Sequence, residues 1–193
     1  MARTKDFNEE DVLNKALAIF WQKGYNGTSM QDLVEGLGIS RSSMYDTYTD
    51  KYTLFVKSLE RYRQQTAAGT LQMIKQAVSP KAILKEILQT VVHESLFDKM
   101  PRGCFMVNTC VEKAPHDEVV AKIVQENITD YETAFYEAIK KGQAMGEITN
   151  RNDARALARF IINTINGIRI MAKSGADKTV YDDVVKVALS ALD

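Results

Sequence analysis

Residues 20–55, FWQKGYNGTSMQDLVEGLGISRSSMYDTYTDKYTLF, decide the fold. Met30, Leu33, Val34 and Leu37 recur at the spacing of one helical face, and Thr28, three residues before Gln31, predicts a capping box at its start. Gly38 stops this helix after two to three turns, and Ser40 is placed to cap the next, ISRSSMYDTY. Two short helices joined by LGIS have the size and punctuation of a helix-turn-helix, whose second helix enters the DNA major groove. The turn alone is shared with any tight helix pair, but its neighbours add chemistry. Arg41, Ser42, Ser43, Tyr45, Thr47, Tyr48 and Lys51 bring a cation, hydroxyls and phenols together, the groups that contact phosphates and base edges.

Outward from this stretch the pattern stays helical. Asn8 is a good cap for a first helix with Glu9, Glu10 and Asp11 at its positive end and Val12, Leu13, Ala16, Leu17, Phe20 and Trp21 along its apolar side, stopped at Gly24. Asp50 caps a fourth helix that begins at Lys51 and reaches the neighbourhood of Thr66, with Leu54, Phe55, Leu59 and Tyr62 inward; Gly69 weakens any extension to Val78. Ser79-Pro80 restarts the chain into a fifth helix ending near Phe97. DKMPRG is a linker, CFMVNTCVEKA a short helix ended by Pro115, and Asp117 to Lys141 a long amphipathic helix closed by Gly142. Two more helices follow, one starting at Asn152 or Asp153 and running to Ser174-Gly175, the last capped by Asp177. The expected class is all-α, with about nine helices.

Lys plus Arg and Asp plus Glu number 25 each among 193 residues, so the net charge is zero, and residues 1–63 carry nine of each sign. Bulk charge therefore indicates no partner, and a nucleic-acid surface must be a local patch. The sequence contains no apolar run of membrane-spanning length and no signal-peptide pattern at its start, so a cytoplasmic protein without a membrane partner is expected. His93 and His116 are the two histidines; His93-Glu94 lacks the second histidine of H-E-x-x-H. With no P-loop, dinucleotide fingerprint or nucleophile elbow either, no enzyme, metal or cofactor is expected. His116, beside Pro115, reads as a surface turn residue; His93, in an apolar helix, reads as a satisfied core histidine or a pocket donor.

Residues 8–59 resemble the DNA-binding domain of the TetR family of bacterial transcriptional regulators. Phe20, Gly24, Tyr25, Thr28, Leu33, Gly38, Ile39, Ser40, Tyr45, Tyr48 and Lys51 stand, in order, where that family's pattern has the same kinds of residue. The resemblance implies a homodimer with an N-terminal three-helix DNA-binding head, residues 1–50, linked by the fourth helix to a larger ligand-binding and dimerisation domain, residues 51–193. It implies a DNA operator with twofold symmetry and a small-molecule effector as partners. By the same analogy Thr28, Ser43, Tyr45, Thr47 and Lys51 hold phosphates, Arg41 and Ser42 face base edges, and Tyr48 packs in the core. Arg41 is the leading candidate for base readout, since a guanidinium pairs bidentately with guanine O6 and N7. Two residues depart from the pattern: Val34 replaces a small residue, and Asp46 places a negative charge in the recognition helix.

The segment PRGCFMVNTCVE is similar to the Arg-Gly-Cys stretch of a subgroup of these regulators, some of which sense electrophiles or oxidants through cysteine. Cys104 follows Arg102 at an expected helix N-terminus, two features that favour a reactive thiolate and faster alkylation than at Cys110. The competing reading makes both cysteines small apolar core residues, Cys110 more strongly so. The implied ligand site takes Met100, Cys104, Phe105, Asn108, Tyr131 and Phe135 as lining. The last two helices are expected to form a four-helix bundle across a twofold axis, through Leu157, Ile161, Thr164, Ile168, Val184, Val187 and Ala188, with Gly167 allowing close approach. The function so read is a ligand-responsive regulator, a repressor released by a small-molecule or electrophile inducer. The alternative is a helical ligand carrier or protein-interaction module whose turn motif is structural.

Overall fold

Every α-helix but α6 begins where a short polar side chain satisfies its first amides. The carboxamide oxygen of Asn8 accepts from the amides of Glu10 and Asp11 and opens α1, Glu9–Lys23. Ser40 opens α3, Arg41–Tyr48, and Asp50 opens α4, Lys51–Gln76. Ser79 and Pro80 start α5, Pro80–Phe97, and Asp117, Asp153 and Asp177 cap α7, Glu118–Met145, α8, Ala154–Ala172, and α9, Lys178–Ser190. The remaining helices are α2, Met30–Leu37, and α6, Phe105–Glu112, the latter followed by a 3-10 turn at Ala114–His116. This is a computed structural model describing residues 7–98 and 102–193, with Ala67 by its backbone alone, and the regular elements among the described residues are all helical.

Two apolar cores organise these helices. The first gathers Phe20 of α1, Leu33 and Leu37 of α2, Met44 and Tyr48 of α3 and Leu54, Phe55, Leu59 and Tyr62 of α4, and continues into Phe105 and Met106 of α6 and Val120 and Val124 of α7. Phe20 meets Phe55 edge to face at 5.2 Å, and truncating either ring would cost about 3–5 kcal/mol. The second core joins α5, α7, α8 and α9 through Leu84, Leu88, Phe135, Ile139, Ala158, Ile161 and Tyr181. α4 belongs to both, since Ile74 near its C-terminus packs into the second. The expected division at residue 50 thus falls at the first turn of a helix whose N-terminal half is part of the head's interior.

Several expectations are corrected. The capping box opening α2 joins Ser29 to Asp32, not Thr28 to Gln31, because Thr28 turns inward and is buried. α4 runs past Gly69 to Gln76: the helical cost of one glycine, about 1 kcal/mol, is outweighed by burial of Ile74 and packing of Leu71. α7 passes through a buried Gly142, against which Ile148 packs, and closes at Gly146. Leu157, Ile161, Ile168 and Ala188, expected at a dimer interface, lie inside the protomer's own core, since α8 and α9 turn these residues toward α5 and α7. Thr164 and Val184 are half-buried and Val187 is exposed.

Candidate functional site

Gly38, at φ 69°, turns the chain in the left-handed region between α2 and α3, and the Ser40 hydroxyl accepts the Ser43 amide at 3.0 Å. Met44 and Tyr48 fix the inner face of α3, the Tyr48 hydroxyl donating to the Glu9 carbonyl at 3.2 Å. That anchoring leaves Arg41, Ser42, Tyr45 and Asp46 on the outer face, with Ser43 and Thr47 half-buried beside them. The Arg41 guanidinium lies 5.9 Å from the Tyr45 ring centroid. α3 is therefore a short helix held by two buried side chains and presenting a cation, a phenol and a hydroxyl.

Two residues expected at this surface brace the loop beneath it. The buried Thr28 donates its hydroxyl proton to the Gly24 carbonyl at 2.6 Å, so it is corrected from a phosphate contact to a loop tie. Lys51, half-buried, also reaches the loop: its Nζ donates to the Tyr25 and Thr28 carbonyls, each at 2.8 Å, and lies 4.2 Å from the Tyr25 ring centroid. Burial draws its pKa below the ordinary lysine value.

The same loop is held from the other side by residues that sequence reading did not single out. Glu112, the last residue of α6, accepts the Tyr25 amide at 3.0 Å and the Asn26 amide at 2.8 Å. Lys113 Nζ lies 5.0 Å and 5.7 Å from the ring centroids of Tyr25 and Tyr52. Tyr52 donates to Asp117 at 3.0 Å, whose other oxygen pairs with Lys113 at 3.2 Å. Trp21 of α1 donates its indole N–H to the Gly103 carbonyl at 3.1 Å, and the Arg102 guanidinium covers its ring at 4.3 Å. Apart from the Lys113–Asp117 pair, four residues apart, these contacts join residues some 60 to 90 positions apart, so no local spacing signals them.

Between α4, α5, α6, α7 and α8 lies a cavity of about 830 Å³, the size of a small-molecule site. Of its expected lining, Cys104, Tyr131 and Phe135 are there. Phe105 is not, because it is buried between the rings of Phe55 and Tyr62, at 5.9 and 5.6 Å. Asn108 is also absent, its amide donating to the Arg102 carbonyl at 2.8 Å. Met100 lies outside the described residues. Cys104 is half-buried at the N-cap of α6, its Sγ 3.5 Å from the Tyr62 hydroxyl. Cys110, expected in the core, is exposed at the cavity mouth because α6 is a surface helix there. His93 is exposed as well, its ring 4.8 Å from that of Phe97, which excludes the core reading. His116 is exposed in the 3-10 turn.

The deep wall carries groups that the sequence pattern had left as ordinary helix residues: Tyr62 and Arg169, the latter pairing with Glu94 at 3.3 Å. Burial, then the neighbouring Cys104, pushes the Tyr62 pKa up, and burial does the same for Tyr131, so both phenols keep their protons. Among the described residues no cluster of three or more His, Cys, Asp or Glu is placed to hold a metal ion, and no helix is long and apolar enough to cross a membrane.

Comparison with known proteins agrees with this geometry. Residues 12–57 match the family described as bacterial regulatory proteins, tetR family, and residues 80–188 match the tetracyclin repressor-like C-terminal domain. An uncharacterized HTH-type transcriptional regulator of Bacillus subtilis, YezE, is 33% identical over 194 residues, covering 100% of both chains. The HTH-type transcriptional repressor ComR of Escherichia coli is 32% identical over 175 residues, covering 90% of this chain and 83% of its own. Among solved structures, a cysteine mutant of the TetR family transcriptional regulator CifR, in complex with 26-base-pair double-strand operator DNA, superposes with a TM-score of 0.86 over 100% of both chains at 26% identity.

Proposed function

The chain belongs to the tetR family of bacterial regulatory proteins and is a DNA-binding transcriptional regulator, and on that premise we propose that it is a homodimeric repressor released from its operator by a small molecule in the α4–α8 cavity. The observation that carries the reading is the joint placement of an outward-facing Arg41, Ser42 and Tyr45 on α3 and a ligand-sized cavity lined in part by α4, the helix against which α3 packs. Arg41 is the leading base-reading group, with Ser42 beside it facing base edges; Ser43, Tyr45 and Thr47 line the side of α3 toward the duplex backbone. The outer stripe of α8 and α9, Phe160, Thr164, Gly167, Val180, Val184 and Val187, supplies the twofold contact that sets two recognition helices one DNA turn apart.

Release follows from differential binding. An effector favours a conformation in which the two α3 helices no longer match successive major grooves, and DNA favours the other. Titration of the protein with duplexes from its own upstream region tests the reading. The log of affinity should fall with log salt at a slope of about −0.9 per phosphate contacted, and one palindromic duplex should be preferred by a factor of about 10³ or more over random sequence. Equal affinity for all duplexes would refute a sequence-specific repressor.

A further inference from the structure

We propose that the cavity is built for an amphipathic acid, an apolar molecule carrying one carboxylate that seats against Arg169 and Tyr62 with its tail toward the mouth. The proposal rests on the reading of this cavity as the effector site and names the chemistry it selects.

The deep wall has a surplus of donors. Tyr62 is only 5% exposed, yet its protonated hydroxyl faces a thiol at 3.5 Å, a weak acceptor for a good donor. Tyr131 reaches the Thr66 carbonyl only at 3.5 Å. The Arg169 side chain is 20% exposed, and of its five N–H donors the Nη2 group meets Glu94 at 3.3 Å, while Glu94 is itself 55% exposed. A guanidinium and two phenols in an apolar enclosure stabilise an acceptor, and a charged one most, since charge-assisted hydrogen bonds are about twice as strong as neutral ones. A neutral ester would satisfy Tyr62 and leave the guanidinium with the exposed Glu94 as its one charged partner; an amine would be repelled by the guanidinium.

The mouth is the opposite. Met73, Phe97, Val111, Ile128 and Ile170 line the cavity and are 37% to 74% exposed, a ring of large apolar side chains that an apolar tail would cover. The head group also reaches the coupling route directly. The Tyr62 ring packs edge to face on Trp21 of α1 at 5.1 Å, so an oxygen that draws the Tyr62 hydroxyl from Cys104 moves a ring seated against the DNA-binding head.

Trp21, the single tryptophan of the chain, lines this cavity and reports its occupancy by intrinsic fluorescence. Full-length protein is titrated with straight-chain acids of eight to fourteen carbons and with arylalkanoic acids, each beside its methyl ester. The expected result is that acids bind about tenfold or more tightly than their esters. Arg169→Met should abolish that preference while leaving ester binding, whereas Arg169→Lys should retain part of it. No acid exceeding its ester, or an undiminished preference in Arg169→Met of intact helicity, overturns the proposal. Operator release is scored separately in gel shifts: release by the acids supports both statements, and Arg169-dependent acid binding that leaves the DNA complex intact overturns the effector reading but not the ligand chemistry.

Discussion

Glu112 and Tyr25 lie 87 residues apart in sequence, and the carboxylate of the first accepts the backbone amide of the second at 3.0 Å, tying the end of α6 to the loop that supports the recognition helix. Gly24, the residue before Tyr25, is held at φ 74°, a conformation that favours glycine, and a Cβ there would lie 2.6 Å from a Glu112 oxygen. Glu112→Ala leaves two amides without their charged acceptor. It should lower stability in urea by about 1–3 kcal/mol and weaken operator binding, because the loop under α3 loses its fixed position. An unchanged urea midpoint would show the tie to be energetically idle.

Arg41 and Asp46 are both exposed on α3 and carry opposite charges toward the expected duplex. Arg41→Ala should cost about 1–3 kcal/mol at the preferred operator and little on random DNA, flattening the preference at one base position. Asp46→Asn removes a repulsion felt by every phosphate nearby, so affinity should rise for all duplexes by a similar factor. Fluorescence anisotropy on operator and scrambled duplexes distinguishes the two patterns. A uniform loss in Arg41→Ala would make Arg41 a phosphate contact only.

Cys110 is exposed at the cavity mouth while Cys104 is half-buried behind Tyr62. Access therefore favours Cys110, the reverse of the order expected from sequence, and mass spectrometry after brief iodoacetamide treatment should find Cys110 modified first. Occupancy of the cavity should protect Cys104 further. Faster modification of Cys104 would mean that thiolate activation at the start of α6 outweighs its burial.

The head was legible because its signals are local. Asn8, Ser40 and Asp50 cap helices where their spacing placed them, and Gly38 turns where the apolar run stops. The binary pattern also identified inward faces, but not what lies opposite them. Leu157, Ile161, Ile168 and Ala188 were correctly apolar and incorrectly assigned to a partner subunit, since a period of 3.6 residues marks a buried stripe without stating which surface buries it. Thr28 and Lys51 belong to the motif but act on carbonyls of the loop, which only the folded chain reveals. Arg169 carried no signal at all: one of three arginines on α8, it acquires meaning from Tyr62, Glu94 and Tyr131, contributed by three other helices.

Asp50 accepts the Thr53 amide at 2.7 Å, and that hydrogen bond holds its carboxyl below the usual value. A carboxylate depressed in the fold contributes stability that is complete above the unfolded value, about 3.9, and is lost as pH falls through the lower folded value. Asp50→Asn keeps a comparable cap without a titrating proton. Thermal unfolding between pH 2 and 7 should therefore show a near-native midpoint at neutral pH and a shallower acid decline in the variant. Identical acid limbs would assign the acid sensitivity to other carboxylates, Asp32 beside Lys23 first among them.

Val187 is 63% exposed on α9 and Phe160 44% exposed on α8, and both lie on the sides of their helices turned away from the protomer's core. A glutamate at either position of an isolated subunit would remain in water and cost little. In a twofold interface each substitution appears twice, and burial of unpaired carboxylates opposes assembly. Val187→Glu and Phe160→Glu should thus sediment as monomers while keeping wild-type helicity. Their affinity for a half-site should persist, whereas affinity for the full palindrome should fall by an order of magnitude or more, because the second head no longer binds as part of the same particle. Variants that remain dimeric would place the twofold contact on another face and leave the α8–α9 stripe without a role in spacing the recognition helices.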